Sequence, residues 1–282
     1  MKALLALPLA FAPLAMIGVT APLSAQQAAT SNAALDTAMA APVRDKDRAR
    51  DQYRHPVETL AFFQVTPEQT VVEYAPGGGW YTRLLAPYIG QSGRYIAINA
   101  DTEGRSFRNR ASEARAKGWT ENFPERVAEW TGMEAEKVLA FESDEVPEDI
   151  AGTIDRVLIF RSIHGLLNGN RADSELRAIH AMLSDDGMVG VVQHRAKADA
   201  PHAVSSGPRG YVKQDYVVKL FELNGFELVD SSEINANPKD PANWEGGVWT
   251  LPPILRFGDE DRERYLAIGE SDRMTLLFRK TK

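Results

Sequence analysis

There is no cysteine among the 282 residues. Disulfides, thiolate zinc sites, a cysteine nucleophile and lipid attachment through an N-terminal cysteine are therefore excluded. Basic character is also scarce. The chain has 32 Lys and Arg against 39 Asp and Glu, a formal net charge of -7. Gripping a phosphate backbone calls for the opposite balance, so nucleic acid is not an expected partner. A local basic cluster runs from Arg105 to Lys117, but Glu113 interrupts it and it reads as a solvated helix face. The Gly-x-Ser-x-Gly elbow of serine hydrolases is missing. No His/Asp/Glu spacing demands a metal, and no internal repeat is visible.

What is present begins with a leader. Lys2 precedes an apolar stretch, 3–19, broken by Pro8 and Pro13, and Ala25 offers a small residue at a cut site. Residues 1–25 read as a secretory signal peptide rather than a spanning helix, which implies export, and the lack of disulfides suits a periplasm. Residues 26–43, rich in Ala, Gln, Ser and Thr, read as a linker with a weak helix near 32–40. Residues 44–65 read as an N-terminal helical cap in two pieces broken at His55-Pro56, since proline suits the first turn of a new helix. Residues 66–282 form the main domain, with 44% hydrophobic content supporting a sizeable core.

The most informative stretch is Val71-Val72-Glu73-Tyr74-Ala75-Pro76-Gly77-Gly78-Gly79. An apolar strand ends in an acidic residue, a glycine-rich turn follows, and 82–88 has a helical pattern. This is how an open α/β sheet builds a nucleotide pocket at the carboxyl end of its first strand. Strand and helix patterns then alternate. Strands are expected at 94–99, 138–141, 155–160, 188–193, from 226, and at 274–279. Helices are expected at 106–117, 124–130, 172–183 and 214–224. Such alternation predicts a mostly parallel sheet covered on both faces. The stretch 235–257 holds Pro238, Pro241, Pro252 and Pro253 around Trp244 and Trp249. It cannot be a helix or a central strand, and is either a wall over a binding site or a flap packed on the domain.

Laid out in order, these elements resemble a class I S-adenosylmethionine (SAM)-dependent methyltransferase over roughly residues 66–282. Three places carry the resemblance: 73–79, where Ala75 replaces the first glycine of the family's turn; 155–164, similar to its fourth strand and following loop; and 183–192, similar to its helix end, glycine turn and fifth strand. Asn224-Gly225-Phe226 and the late strand 273–279 resemble its terminal strand pair. The leader, 50–56 and 76–82 look like a group of exported bacterial methyltransferase-like proteins. The resemblance implies a Rossmann-like fold, with a seven-stranded mostly parallel sheet, helices on both faces and an N-terminal helical extension. It implies SAM as cofactor and a small-molecule methyl acceptor, with no membrane partner once the leader is removed.

The resemblance also assigns residues. Glu73, Ala75, Gly77 and Gly79 would bind the cofactor at the turn. Asn99 stands where the family usually has an acidic residue for the ribose, with Asp101 two residues on; Asp144 would meet the adenine amino group. His164 and His194, at the ends of the fourth and fifth strands, are the catalytic candidates, His164 as a general base. Arg161, Arg54 and His55 could anchor an acidic group. Trp80 and Tyr81 either wall the pocket or pack the core. Two other readings fit the pattern: an exported, non-catalytic binding protein with a methyltransferase-like fold, and an NAD-type oxidoreductase, which the glycine spacing disfavours.

Overall fold

The computed structural model describes residues 33–281 apart from Gly104. The expected leader at 1–25 lies outside the described residues. Seven strands form one sheet: β1 (Thr70–Tyr74), β2 (Arg94–Asn99), β3 (Leu139–Glu142), β4 (Ile154–Phe160), β5 (Leu183–His194), β6 (Phe226–Ser232) and β7 (Arg273–Lys280), in the order β3-β2-β1-β4-β5-β7-β6. All pairs are parallel except those made by β7, which runs antiparallel to both β5 and β6. The expected Rossmann-like sheet, with its terminal strand pair, is thus present. The order reverses direction at β1, between β2 and β4, the topological switch point where open α/β sheets bind ligands.

Alternate residues on each strand face opposite sides. Val72, Ile96, Val157 and Val189 join a core under the helices Ile163–Asn168, Ala172–Met182 and Gln214–Leu223. Val71, Tyr95, Leu158 and Val192 join a second core under Pro56–Phe62, Thr82–Ile89 and Trp119–Thr131. The near-continuous apolar strands are explained by burial on both faces. Among the described residues no helix is long and apolar enough to cross a membrane.

The sequence expectations differ from the structure in detail. The weak helix expected near 32–40 forms at 33–40, but Leu35 and Ala38 bury it in the second core, so it is not a free linker. The helix expected from 106 starts at Arg110, because the Asn109 side chain caps the Ser112 N–H at 2.9 Å. The helix expected at 124–130 is longer, Trp119–Thr131. Strand β5 takes in the predicted turn at 184–187, with a pairing irregularity opposite Ile154/Arg156. The Pro/Trp stretch packs on the domain as a small third cluster with Tyr211 and Tyr265, anchored where Asp240 accepts from Trp244 Nε1 at 2.9 Å.

Gly190 of β5 controls how the second helical face meets the sheet. A methyl group there would lie 2.5 Å from the Phe63 ring, whose side chain is fully buried. Gly190→Ala is expected to destabilise the chain by about 1–3 kcal/mol through overpacking. Urea unfolding tests this; unchanged stability would show that the Phe63 contact is soft.

Candidate active site

Strand β1 pairs with both neighbours in a register that brings Tyr74 beside Ile98 and Ile159. The residues after those positions, Ala75, Asn99, Phe160 and Arg161, therefore converge at one edge. Two of them, Ala75 at φ 49° and Arg161 at φ 59°, hold the left-handed conformation although neither is glycine. Such strain concentrates where the surrounding structure fixes the backbone for a purpose.

Glu73 is buried, at 2% exposure. Its Oε2 accepts hydrogen bonds from Thr82 Oγ1 and Tyr95 Oη, both at 2.7 Å. Burial pushes its carboxyl up to about 7, against the opposing effect of those two bonds. In the turn, Ala75 N donates to Ile98 O at 2.8 Å and Gly79 N to Pro76 O at 3.1 Å. Among the described residues the N–H groups of Gly77 and Gly78 make no backbone hydrogen bond. Gly77, at φ +60°, would bring a Cβ no closer than 3.9 Å to its nearest neighbour, the Ala75 carbonyl oxygen, although that backbone conformation strains any side chain. Gly79 is different: a Cβ there would strike the Trp130 ring at 2.2 Å, so packing demands glycine at that position. Gly77 and Gly78, but not Gly79, line a cavity of about 330 Å³ together with Glu73, Trp80 and Arg161.

A second cavity of about 310 Å³ shares Ala75, Arg161 and Ser162 with the first and reaches Asn99 and His164. The Asn99 carbonyl oxygen accepts from Ala100 N at 3.1 Å, which turns its amide N–H groups to other partners. Asp144 lies further out, in a cavity of about 590 Å³ shared with Thr102 and Glu142. Asp101, Glu142 and Asp144 bring carboxylate oxygens within 4.8 Å of one another, a grouping able to hold a cation that spacing alone did not show. Parallel pairing of β2 and β3 sets those loops side by side. Both Glu142 oxygens already accept from Thr102.

The two histidines are brought together, with ring centroids 5.8 Å apart, and Trp249 of the Pro/Trp stretch stands 6.0 Å from His164. Gln193 Nε2 donates to Gly210 O at 2.8 Å, which fixes its amide, and lies 3.4 Å from His164 Nδ1. The donor and acceptor roles of the two His164 ring nitrogens depend on the tautomer, and the one that accepts from Gln193 at Nδ1 carries its proton on Nε2. Burial lowers His164, and it lowers His194 further with help from the neighbouring His164. His194 Nδ1 lies 2.6 Å from Ser271 Oγ. Tyr81 and Trp80 both pack in the second core and both line the first cavity, Tyr81 stacked on Phe160 at 3.5 Å and Trp80 under the Arg54 guanidinium at 4.5 Å. His55 lies outside both cavities' linings and forms the left-handed joint between two short helices.

Sequence reasoning missed the knot that holds this wall. Glu270 accepts from Arg50 Nε at 2.6 Å, Arg54 Nε at 3.2 Å and Arg273 Nη1 at 3.1 Å. Burial alone would raise Glu270, but the charges of Arg273, Arg54 and Arg50 outweigh it and hold the carboxyl at about 2. No local motif announces a contact between residues 50 and 270.

Two predictions follow from these carboxylates. Between about pH 4.5 and 7 folded Glu73 keeps a proton that the unfolded chain has lost. Stability relative to Glu73→Gln should therefore fall as pH rises through that window and level off above it; thermal unfolding from pH 5 to 8 checks this, and parallel profiles would refute it. Glu270 has the opposite sign. Glu270→Gln should cost about 3–5 kcal/mol at pH 7 by leaving buried guanidinium groups uncompensated. That difference should shrink as pH falls from the ordinary carboxylate range toward 2, measured by urea unfolding at each pH.

No protein-family model matches the chain, and neither does any curated protein. Among solved structures it is similar to a SAM-dependent methyltransferase from Aquifex aeolicus, with 16% identity over 66% of this chain and 87% of that one, at a TM-score of 0.46. It is also similar to the Burkholderia thailandensis 1,6-didemethyltoxoflavin-N1-methyltransferase, solved with bound 1,6-didemethyltoxoflavin and S-adenosylhomocysteine. That match has 16% identity over 97% of this chain and 94% of that one, at a TM-score of 0.45. At such identities the likeness is one of fold.

Proposed function

We propose that the protein is a SAM-dependent methyltransferase acting on a small molecule outside the cytoplasm. One observation carries the reading. At the switch point, the free amides of Gly77 and Gly78 open onto a cavity beside a buried carboxylate, Glu73, and the polar end of the next strand, Asn99, lines the adjoining cavity. Backbone donors and a carboxylate suit the two ends of an amino-acid group, and polar strand ends suit ribose and adenine. Glu73 and the 75–78 turn would hold the methionine portion, Asn99 the ribose, and Asp144 the adenine. Export rests on the leader sequence alone.

The bound cofactor supplies an electrophilic methyl group on a sulfonium. The chain then has to align nucleophile, methyl and sulfur and to keep water out. His164, in the second cavity with Trp249 beside it, would meet the acceptor across the border that Arg161 forms between the two cavities. Asn99 is the observation favouring the second reading, a binding protein without turnover, since it replaces an acceptor-only carboxylate.

Calorimetry with S-adenosylhomocysteine tests the proposal. Micromolar binding is expected, with none for NAD. A side chain at position 77 meets no clash but is strained at φ +60°, so Gly77→Arg should lose some stability, and should lose at least tenfold in affinity while still folded by circular dichroism. No binding by the wild type would sink both the cofactor and the reaction; binding with no methyl transfer to any small acceptor would favour the second reading.

A further inference from the structure

Arg161 is placed as few half-buried cations are. It follows β4 directly in the left-handed conformation, its N–H fixed to Val192 O at 2.6 Å. Among the described residues its side chain makes no hydrogen bond or ion pair, and its Nη1 is shut away from solvent without a partner. Arg54, at 3% exposure, also has an unpartnered Nη1. Both line the 330 Å³ cavity beside the glycine turn, with Arg50 at its edge.

The charges around this cavity do not balance. Arg83 is neutralised by Asp47 through two bonds, at 2.6 and 2.7 Å. Arg50, Arg54 and Arg273 share the one carboxylate of Glu270, and Arg161 has none. Glu73 compensates poorly, since its own carboxyl is raised to about 7. Burial and the neighbouring Arg273 lower Arg161 to about 10, and burial with the neighbouring Arg161 lowers Arg54. Uncompensated buried guanidinium groups are costly, so a site that keeps them is suited to a ligand that brings the missing charge.

SAM does not bring it. Its carboxylate is offset by its ammonium, and the sulfonium adds a further positive charge. We propose, resting on the methyltransferase reading, that the methyl acceptor is a small oxyanion, a carboxylate or a phosphate monoester, seated in this cavity on Arg161 and Arg54 with Arg50 at the rim. The planar guanidinium fork matches either group in two-pronged fashion.

Trp80 lines the same cavity in contact with Arg54, so its fluorescence reports occupancy without any turnover. Inorganic phosphate and succinate are titrated into the wild type at constant ionic strength against sodium chloride, following fluorescence and the midpoint of thermal unfolding. A saturable change with at least one anion, and a raised midpoint, are expected; which anion binds distinguishes the two oxyanion types. Arg161→Met and Arg50→Gln should weaken that binding at least tenfold while S-adenosylhomocysteine affinity stays within about threefold. Arg50 is part-exposed at the rim, so its variant serves if the Arg161 variant fails to fold. No response to either anion overturns the proposal. So does loss of S-adenosylhomocysteine affinity with anion binding intact, which would assign the arginines to the amino-acid end of the cofactor. Anion binding without S-adenosylhomocysteine binding would keep the anion site and remove the methyltransferase reading alone.

Discussion

One buried carboxylate organises the functional end of this molecule. Glu270 sits just before β7 and takes hydrogen bonds from three arginines, two of them on the segment before β1. Arg273 closes the knot by also donating to Tyr53 O. The N-terminal segment, which could otherwise be a loose appendage, is bound to the far end of the chain. Its Arg54 is thereby set over Trp80, at the end of the glycine turn. The same stretch of β7 shapes the histidine pair, because Arg273 pairs with His194 across the sheet and Ser271 meets the His194 ring.

The sheet supplies the second constraint. A strand flanked by parallel partners on both sides ends where theirs end, and connections leave it on opposite faces. Here β1 has β2 and β4 as those partners, so the turn at Ala75 and the bend at Arg161 are adjacent. Two non-glycine residues in the left-handed conformation, one on each strand end, form the border between two cavities that share them. The backbone strain is local, while the register that enforces it spans the sheet.

Much of this was legible in the residues. Strand cores such as Arg94–Asn99 announce themselves because burial on both faces leaves a run of apolar side chains. The acidic end of β1 and its glycine turn were legible because backbone approach needs small residues. Convergence of His164 and His194 follows once β4 and β5 are known to be parallel neighbours. The Glu270 knot was not legible, since sequence pattern carries no sign of pairing across more than two hundred residues. Nor was the role of Gly79. Its neighbour Trp130 lies on a separate helix, and only packing shows that the glycine answers to that ring. The contact between Gln193 and His164 was hidden as well, because it depends on how Gly210 orients the Gln193 amide.

The two buried carboxylates of this region differ in kind, and the difference separates scaffold from response. Glu270 is surrounded by guanidinium groups and held at about 2, so it stays ionised over any physiological range and serves as a fixed charge. Glu73 has only hydroxyl donors in contact and is raised to about 7, so its charge depends on what lies beside it. A neighbouring cation stabilises an ionised carboxylate, and in a low-dielectric setting that effect is large. A ligand that presents a cationic group to Glu73 would draw its proton away and gain a counter-ion, whereas a neutral ligand would meet a neutral acid. Environments that push paired acids apart in this way assign them different tasks. In this chain Glu270 fixes the wall, and Glu73 is left free to answer the ligand.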